Sequence, residues 1–321
     1  MKGPIRISPD TEKKMSEDQI IIPPFLRKGD TIGVVCPAGH MPTSRMRTCF
    51  KVLREEWGFE VIKGKTLGTG DGYFSGSDEE RAADLQRMLD DDDVDAILCA
   101  RGGYGVGRII DRLDFTHFRK RPKWLIGFSD ITVLHAHILS QCGVATIHGP
   151  MASAFAAGGW QKPSVQSLHR VLRGLKSAYT CDPHPLNRNG TASGILFGGN
   201  LSLLAHLVGT PSEVDLKGKI LFIEDVGELL YNIDRMLYQL DRAGRLAGLA
   251  GLIVGGFTEC RDTERPFGQD VLTIISEIVA RYSFPVCFGF PVSHGPENMA
   301  LKSGVHHQLS ISIKGVRLKE A

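Results

Sequence analysis

The sequence predicts an α/β protein with two units, the first built on a parallel sheet with helices on its faces. Three observations carry this. Apolar strand-like runs alternate with helix-like segments from about residue 30 to residue 145, the pattern of βαβ units. Residues 152–192 then break the pattern with AAGGWQKPS and CDPHPLNRNGTASG, rich in Gly, Pro, Asn and Ser. The chain has 321 residues, more than one domain of roughly 100–200 needs, and strand and helix patterns resume near Ser193.

Taken in order, DTIGVVCPAG (30–39) is a buried strand ending in a Pro-Ala-Gly turn. SRMRTCFKVLREEWG (44–58) has helical spacing and stops at Gly58, and FEVIKGK (59–65) is the second strand. SDEERAADLQRMLDDDDV (77–94) is a helix with Ser77 as N-cap, Glu80 completing a capping box, and acids in its first turn. VDAILCA (94–100) is the third strand, followed by the glycine loop RGGYGVG (101–107) and a helix over RIIDRL. WLIGFS (124–129) is a strand and DITVLHAHIL (130–139) a helix. In the second unit, GNLSLLAHLVG (199–209) is helical, KILFIEDV (219–226) a strand and NIDRMLYQLDRAG (232–244) a helix. GLAGLIVGGF (248–257) and PVCFGF (285–290) are strands flanking a helix through VLTIISEIVARY, and HHQLSISI closes the chain as β structure. The expected organisation is a polar tail at 1–22, an N-terminal domain at 23–152, a crossover at 153–192 and a C-terminal domain at 193–321.

Composition narrows the partners. Hydrophobic residues make up 42% and charged residues 23%, ordinary for a globular protein. Thirty-eight basic against 36 acidic residues give +2 with no basic stripe, so nucleic acid is not the expected partner. No apolar run approaches ~18 residues, so no membrane span is expected, and the first 20 residues lack the apolar core of a secretory signal. Seven cysteines, an odd number with no C-x-x-C, argue against zinc and against a disulfide framework. A reducing, cytoplasmic location without metal or cofactor is the expectation.

Ligands in open parallel sheets bind at the carboxyl ends of strands. Ser129 and the RGGYG loop both fall there. Ser129 on a sharp strand-to-helix turn is either a helix cap or a nucleophile whose neighbouring N–H faces an oxyanion. Gly102, Gly103, Gly105 and Gly107 match neither G-x-G-x-x-G nor a P-loop, so a nucleotide-binding module is poorly supported. The loop could instead bring backbone close to a substrate, or be a plain turn. Glu224 and Asp225 end an apolar strand, where an acid can orient a histidine or cap the next element. His294, in the Gly/Pro loop SHGPEN, is a better catalytic candidate than His135 or His206 on helices. His306 and His307 read as surface or sheet residues, and His148 in TIHGPM is a further candidate for the neighbourhood of the site.

The motifs together are more specific than any one. ARGGYGVGRIIDRLDF, WLIGFSDITVLHAHI, IHGPM, LFGGNLSLLAHLVGTP, ILFIEDVGE, YNIDRMLYQL and SHGPENMALKSG resemble, in order, the signature blocks of the LD-carboxypeptidases. These are serine peptidases that trim murein tetrapeptides, and the family includes microcin-immunity peptidases. The resemblance runs from about Phe25 to Leu318. It implies Ser129 as nucleophile, Glu224 as triad acid and His294 as base. It implies an oxyanion hole from the N–H of Asp130 and of Gly102 or Gly103, between which the sequence does not choose. The implied fold is a flavodoxin- or Rossmann-like N-terminal domain and a smaller C-terminal α/β domain, with the site between them and usually a homodimer.

The implied reaction is hydrolysis between an L-centre diamino acid and a terminal D-alanine in a muropeptide, as in peptidoglycan recycling. A basic residue should read the peptide's terminus, and Arg101 is the candidate. The alternative is a microcin-immunity-like peptidase acting on aminoacyl-nucleotide analogues; the short crossover between Ser129 and Glu224 leaves little room for the extra loop expected of it. Two departures stand out. Leu301-Lys302-Ser303-Gly304 replaces the usual Leu-Pro-x-Gly, and Leu230-Tyr231-Asn232-Ile233-Asp234-Arg235 replaces Pro-Tyr-Arg-Ile-Asp-Arg.

Overall fold

The computed structural model describes residues 20–321 apart from 71, 157 and 158. Most of the expected polar tail, residues 1–19, lies outside them. Ile21 runs beside Gly143–Ala145, donating to Gly143 O and accepting from Ala145 N, both at 2.8 Å.

The first half supplies strands β1 (Thr31–Val35), β2 (Glu60–Lys63), β3 (Ala96–Cys99), β4 (Trp124–Gly127) and β5 (Thr146–His148). Helices α1 (Thr43–Lys51), α2 (Asp78–Asp90), α3 (Thr116–Lys120), α4 (Thr132–His137) and α5 (Pro163–Leu172) accompany them. The second half supplies β6 (Ala178–Cys181), β7 (Gly190–Asn200), α6 (Leu201–His206), β8 (Ile220–Val226), α7 (Leu230–Arg242), β9 (Gly251–Thr258), α8 (Val271–Val279) and β10 (Val286–Phe288). It closes with β11 (Leu301–Ser303), β12 (Val305–Ser312) and β13 (Gly315–Glu320). No helix among the described residues is long and apolar enough to cross a membrane.

One sheet has the order β11-β5-β4-β3-β1-β2. Its β1–β5 pairings are all parallel, and β11 joins β5 antiparallel. Read from β2, the first five strands follow the order 2-1-3-4-5 of doubly wound flavodoxin-like folds. That order reverses between β1 and β3, so a crevice opens where their carboxyl ends lead into Cys36–His40 and Arg101–Gly107. Apolar clusters cover both faces: Val34, Leu98, Trp124 and Ile126 point to one, Val35, Ile97, Cys99 and Leu125 to the other. This is period-2 alternation in strands buried on both sides.

The second sheet, β10-β9-β8-β7-β12-β13-β6, is parallel from β7 through β10 and antiparallel from β7 through β6. The segment expected as a crossover holds α5, which packs into the first sheet's core, then β6 and the start of β7. The two units meet behind α4: Ala136 and Leu139 join the apolar cluster of α6 and α7.

Several elements follow their local chemistry. Ser77 and Glu80 form the expected capping box on α2. The helix expected over RIIDRL is instead two 3₁₀ turns, Val106–Arg108 and Ile110–Arg112. It starts from Gly105 at φ 135° and stops at extended Leu113, too short a span for α-helical turns to propagate.

Candidate active site

Ser129 sits where β4 ends. Phe128 is extended, with φ −155° and ψ −172°, and Ser129 then turns to φ 64°. Among the described residues only Ser129 and Glu259 are non-glycine with left-handed φ. Such a backbone costs a side-chain-bearing residue of order 1–3 kcal/mol and marks sites where surrounding packing imposes the geometry. Gly127 makes the sharp return possible, because a Cβ there would lie 2.9 Å from Ile131 Cγ1. The Ser129 hydroxyl caps no helix: the 3₁₀ turn Ser129–Ile131 and α4 both lack a side-chain cap. Of the two readings the sequence left open for this turn, capping is therefore absent.

Asp130 does not cap its helix either. Its carboxylate is buried and accepts from Val106 N at 2.8 Å, tying the serine turn to the glycine loop. Burial pushes it up to about 6. The Asp130 N–H lies in the first helical turn, where no intrahelical acceptor is available. Gly102 is buried and lies against Ser129; a Cβ on it would sit 2.8 Å from Ser129 Cβ and 3.1 Å from Ser129 Oγ. Gly103, at φ 100°, is exposed and lies one step further out, beside Gly39 and Tyr73. Neither glycine N–H donates a hydrogen bond among the described residues. The glycine loop is held by Arg81, fully buried, whose guanidinium donates to Gly105 O at 3.0 Å and Pro37 O at 2.7 Å.

The second sheet brings Glu224 and His294. Glu224 is fully buried at the end of β8, and its Oε2 accepts from His294 Nδ1 at 2.6 Å. Asp225, on the opposite face of the strand, instead accepts from Asn200 Nδ2 (2.7 Å) and Ser202 N (2.9 Å) at the start of α6. Its burial pushes it up to about 6. Thus one acid of FIED faces a histidine and the other holds a helix end.

His294 is seated by glycines. The register between β8 and β9 slips at Gly255–Gly256, and a Cβ on Gly255 would fall 2.1 Å from Val292 O. Only a bare backbone lets the Phe290–Ser293 segment come this close, with Gly256 N donating to Val292 O at 2.9 Å. The His294 ring meets the Phe128 ring edge-on at 4.9 Å, next to the serine turn. Its Nε2 is buried and has no hydrogen-bond partner among the described residues. Behind the turn, Thr132 Oγ1 accepts from Asn200 N at 3.2 Å and lies 2.5 Å from where a Gly199 Cβ would be, so the two units close tightly here.

His148 lies deeper than the sequence reveals. It is fully buried, bonds Asn298 Oδ1 through Nε2 at 3.1 Å, and its ring meets Phe128 at 5.7 Å and Phe222 at 5.0 Å. It therefore touches the segments carrying Ser129, Glu224 and His294. Burial lowers it to about 3 and His135 to about 4, so both are neutral. His135 bonds Gly127 O at 2.9 Å. His206 and His306 are exposed, whereas His307 is buried between Val305 O and Ser177 Oγ. Phe128 and Asn298 escaped sequence reading because an aromatic and an amide carry no reactive signal of their own. Arg101 is exposed, its Nη1 donating to His40 O at 2.6 Å. No group of three or more His, Cys, Asp or Glu among the described residues is placed to hold a metal ion.

Residues 32–149 match the model of the LD-carboxypeptidase N-terminal domain, and 193–309 that of the LD-carboxypeptidase C-terminal domain. A probable murein peptide carboxypeptidase of Bacillus subtilis is 39% identical over 91% of this chain and 92% of its own. The murein tetrapeptide carboxypeptidase of Pseudomonas aeruginosa is 31% identical, covering 85% and 91%. The crystal structure of muramoyltetrapeptide carboxypeptidase from Oxalobacter formigenes superposes with a TM-score of 0.83 at 30% identity, covering 91% of this chain and 98% of that one. Family models across both halves, near-complete coverage by these relatives and the shared fold lead to one conclusion: the chain belongs to the LD-carboxypeptidase family and is a serine-type carboxypeptidase.

Proposed function

We propose that the chain removes a terminal D-alanine from murein tetrapeptides through a Ser129–His294–Glu224 triad. The observation that carries the reading is the buried Glu224–His294 pair at 2.6 Å beside the left-handed turn of Ser129. Glu224 accepts from Nδ1–H, which leaves the Nε2 lone pair as proton acceptor. Ser129 Oγ attacks the scissile carbonyl carbon while its proton passes to Nε2. The tetrahedral oxyanion is held by the N–H of Asp130 and by one N–H of Gly102 or Gly103. Collapse breaks the C–N bond as Nε2–H protonates the departing amine of D-alanine. Water, deprotonated by His294, then attacks the acyl-enzyme, and Ser129 recovers its proton. The Glu224 carboxylate stabilises the imidazolium formed in both steps. We place this activity in the cytoplasm, in peptidoglycan recycling and in a homodimer. Seven free cysteines, five of them buried, support the reducing compartment.

The test is D-alanine release from a tetrapeptide ending in an L-centre diamino acid and D-alanine, run beside an aminoacyl-sulfamoyl nucleotide. Turnover of the peptide at a kcat/KM at least a hundredfold higher supports the reading. Preference for the nucleotide analogue would replace it with the immunity-type activity.

A further inference from the structure

A carboxypeptidase must distinguish a chain end from a chain interior. The terminal carboxylate carbon lies two bonds beyond the scissile nitrogen, so its receptor belongs within a few ångströms of the oxyanion donors. Arg101 is the residue the sequence offers for that need, and its surroundings supply a second group.

The surface beside Ser129 is floored by glycine. A Cβ on Gly39 would lie 2.9 Å from Gly102 O and 3.6 Å from Arg101 Nε. A Cβ on Gly103 would lie 3.5 Å from Gly39 Cα and 3.5 Å from Tyr73 Oη. Gly102 itself abuts Ser129 Oγ. The three glycines thus form one bare patch running out from the serine, with a guanidinium on one rim and a phenol hydroxyl on the other.

Both rim groups are held and yet open. Arg101 is fixed by the Nη1 bond to His40 O, and no carboxylate pairs with it among the described residues. The arginines nearby differ: Arg81 and Arg108 bond Asp78, and Arg112 bonds Glu79. Tyr73 is 60% exposed, but its carbonyl accepts from His40 N at 3.0 Å and its ring packs edge-on against Phe74 at 5.4 Å. Phe74 is in turn stacked by the guanidinium groups of Arg81 and Arg108, at 4.7 and 5.4 Å. An anchored, uncompensated guanidinium with a hydroxyl across a bare glycine floor is a receptor for a planar anion.

We propose that Arg101 and Tyr73 form a carboxylate subsite that binds the free α-carboxylate of the departing residue and so restricts the enzyme to chain ends. The proposal rests on the reading of Ser129 as nucleophile for its place along the substrate, and its test is made independent of turnover. In the Ser129→Ala background, calorimetry gives Kd for a D-alanine-terminated tetrapeptide as free acid and as carboxamide. Charge-assisted hydrogen bonds predict about 10–100-fold tighter binding of the acid. Arg101→Gln and Tyr73→Phe should each weaken the acid by about tenfold and leave the carboxamide within about twofold. Tyr73→Phe keeps the ring on Phe74, and thermal melts check the folding of Arg101→Gln. Equal affinity for acid and carboxamide overturns the subsite, as does a preference that survives both substitutions or an equal loss for both ligands. Failure of the Ser129 protein to release D-alanine would instead strike the peptidase reading, leaving the binding preference to be judged on its own.

Discussion

Replacing Glu224 by glutamine changes one buried atom and should silence the enzyme without unfolding it. The carboxylate is fully buried and 2.6 Å from His294 Nδ1, so it faces the positive charge that appears on the imidazole during catalysis. Two unit charges about 4 Å apart at an effective dielectric of about 20 interact by about 4 kcal/mol. That is about a thousandfold in rate when the charge is present only in the transition state. Glutamine adds a second fault. Its NH₂ can face Nδ1 and force the proton onto Nε2, where it blocks the transfer from Ser129; this takes the expected loss toward about ten thousandfold. Stability should change little, because Glu224 Oε1 has no hydrogen-bond partner among the described residues and removing a buried charge relieves desolvation. The assay is kcat/KM for D-alanine release, with a thermal melt alongside. A folded Glu224→Gln protein within tenfold of the unmodified chain would refute the role assigned to the pair.

Other substitutions act on the serine turn, the buried ion pair and the buried histidines. Gly102→Ala puts a Cβ 2.8 Å from Ser129 Cβ and 3.1 Å from Phe128 O, so the serine turn must shift, and kcat should fall about a hundredfold in steady-state assays. Lys302 is fully buried and pairs with Glu320 at 2.8 Å; Lys302→Met leaves that carboxylate its bond from Ser177 N at 3.0 Å but removes its cation, and should cost about 3 kcal/mol in urea unfolding. The Lys302→Met/Glu320→Gln double variant should cost less than the sum of the singles. Stability should also decline with acid. His135, His148 and His307 are held near 4, 3 and 4 against an ordinary 6.5, so the unfolded chain binds more protons between those values. Their contribution is complete above about 6.5 and lost as pH falls, at about 1.4 kcal/mol per pH unit for each proton taken up. Asp130 and Asp225, raised to about 6, act oppositely between 3.8 and 6 and offset part of this loss. His307→Gln should flatten the acid limb of the denaturation profile.

The parallel sheet was legible because its strands are apolar runs separated by helices with caps, as in Ser77–Glu80. The serine turn was legible because Gly127-Phe128-Ser129 interrupts an apolar run where a helix begins. Its left-handed φ was not, since no propensity favours serine there; only packing imposes it. Alternation along β8 shows that Glu224 and Asp225 face opposite ways, but not which one meets the histidine. That choice depends on Gly255–Gly256 admitting the His294 segment, a long-range contact. Strand β11 was invisible for a simpler reason: Leu301–Ser303 is three residues long, too short for any period, and its partner β5 belongs to the sheet built by the first half of the chain. The same strand explains the Leu-Lys-Ser-Gly departure, because Lys302 there gains Glu320 as an ion-pair partner and the Phe25 ring at 4.8 Å. For Asn232 in the second departure, the structure gives a hydrogen bond to Glu228 at 3.1 Å.

D-alanine release by a folded Ser129→Ala protein decides whether Ser129 is the nucleophile. A nucleophilic Ser129 requires a loss of at least about ten thousandfold in kcat with substrate binding retained. Release within tenfold of the unmodified chain would contradict it.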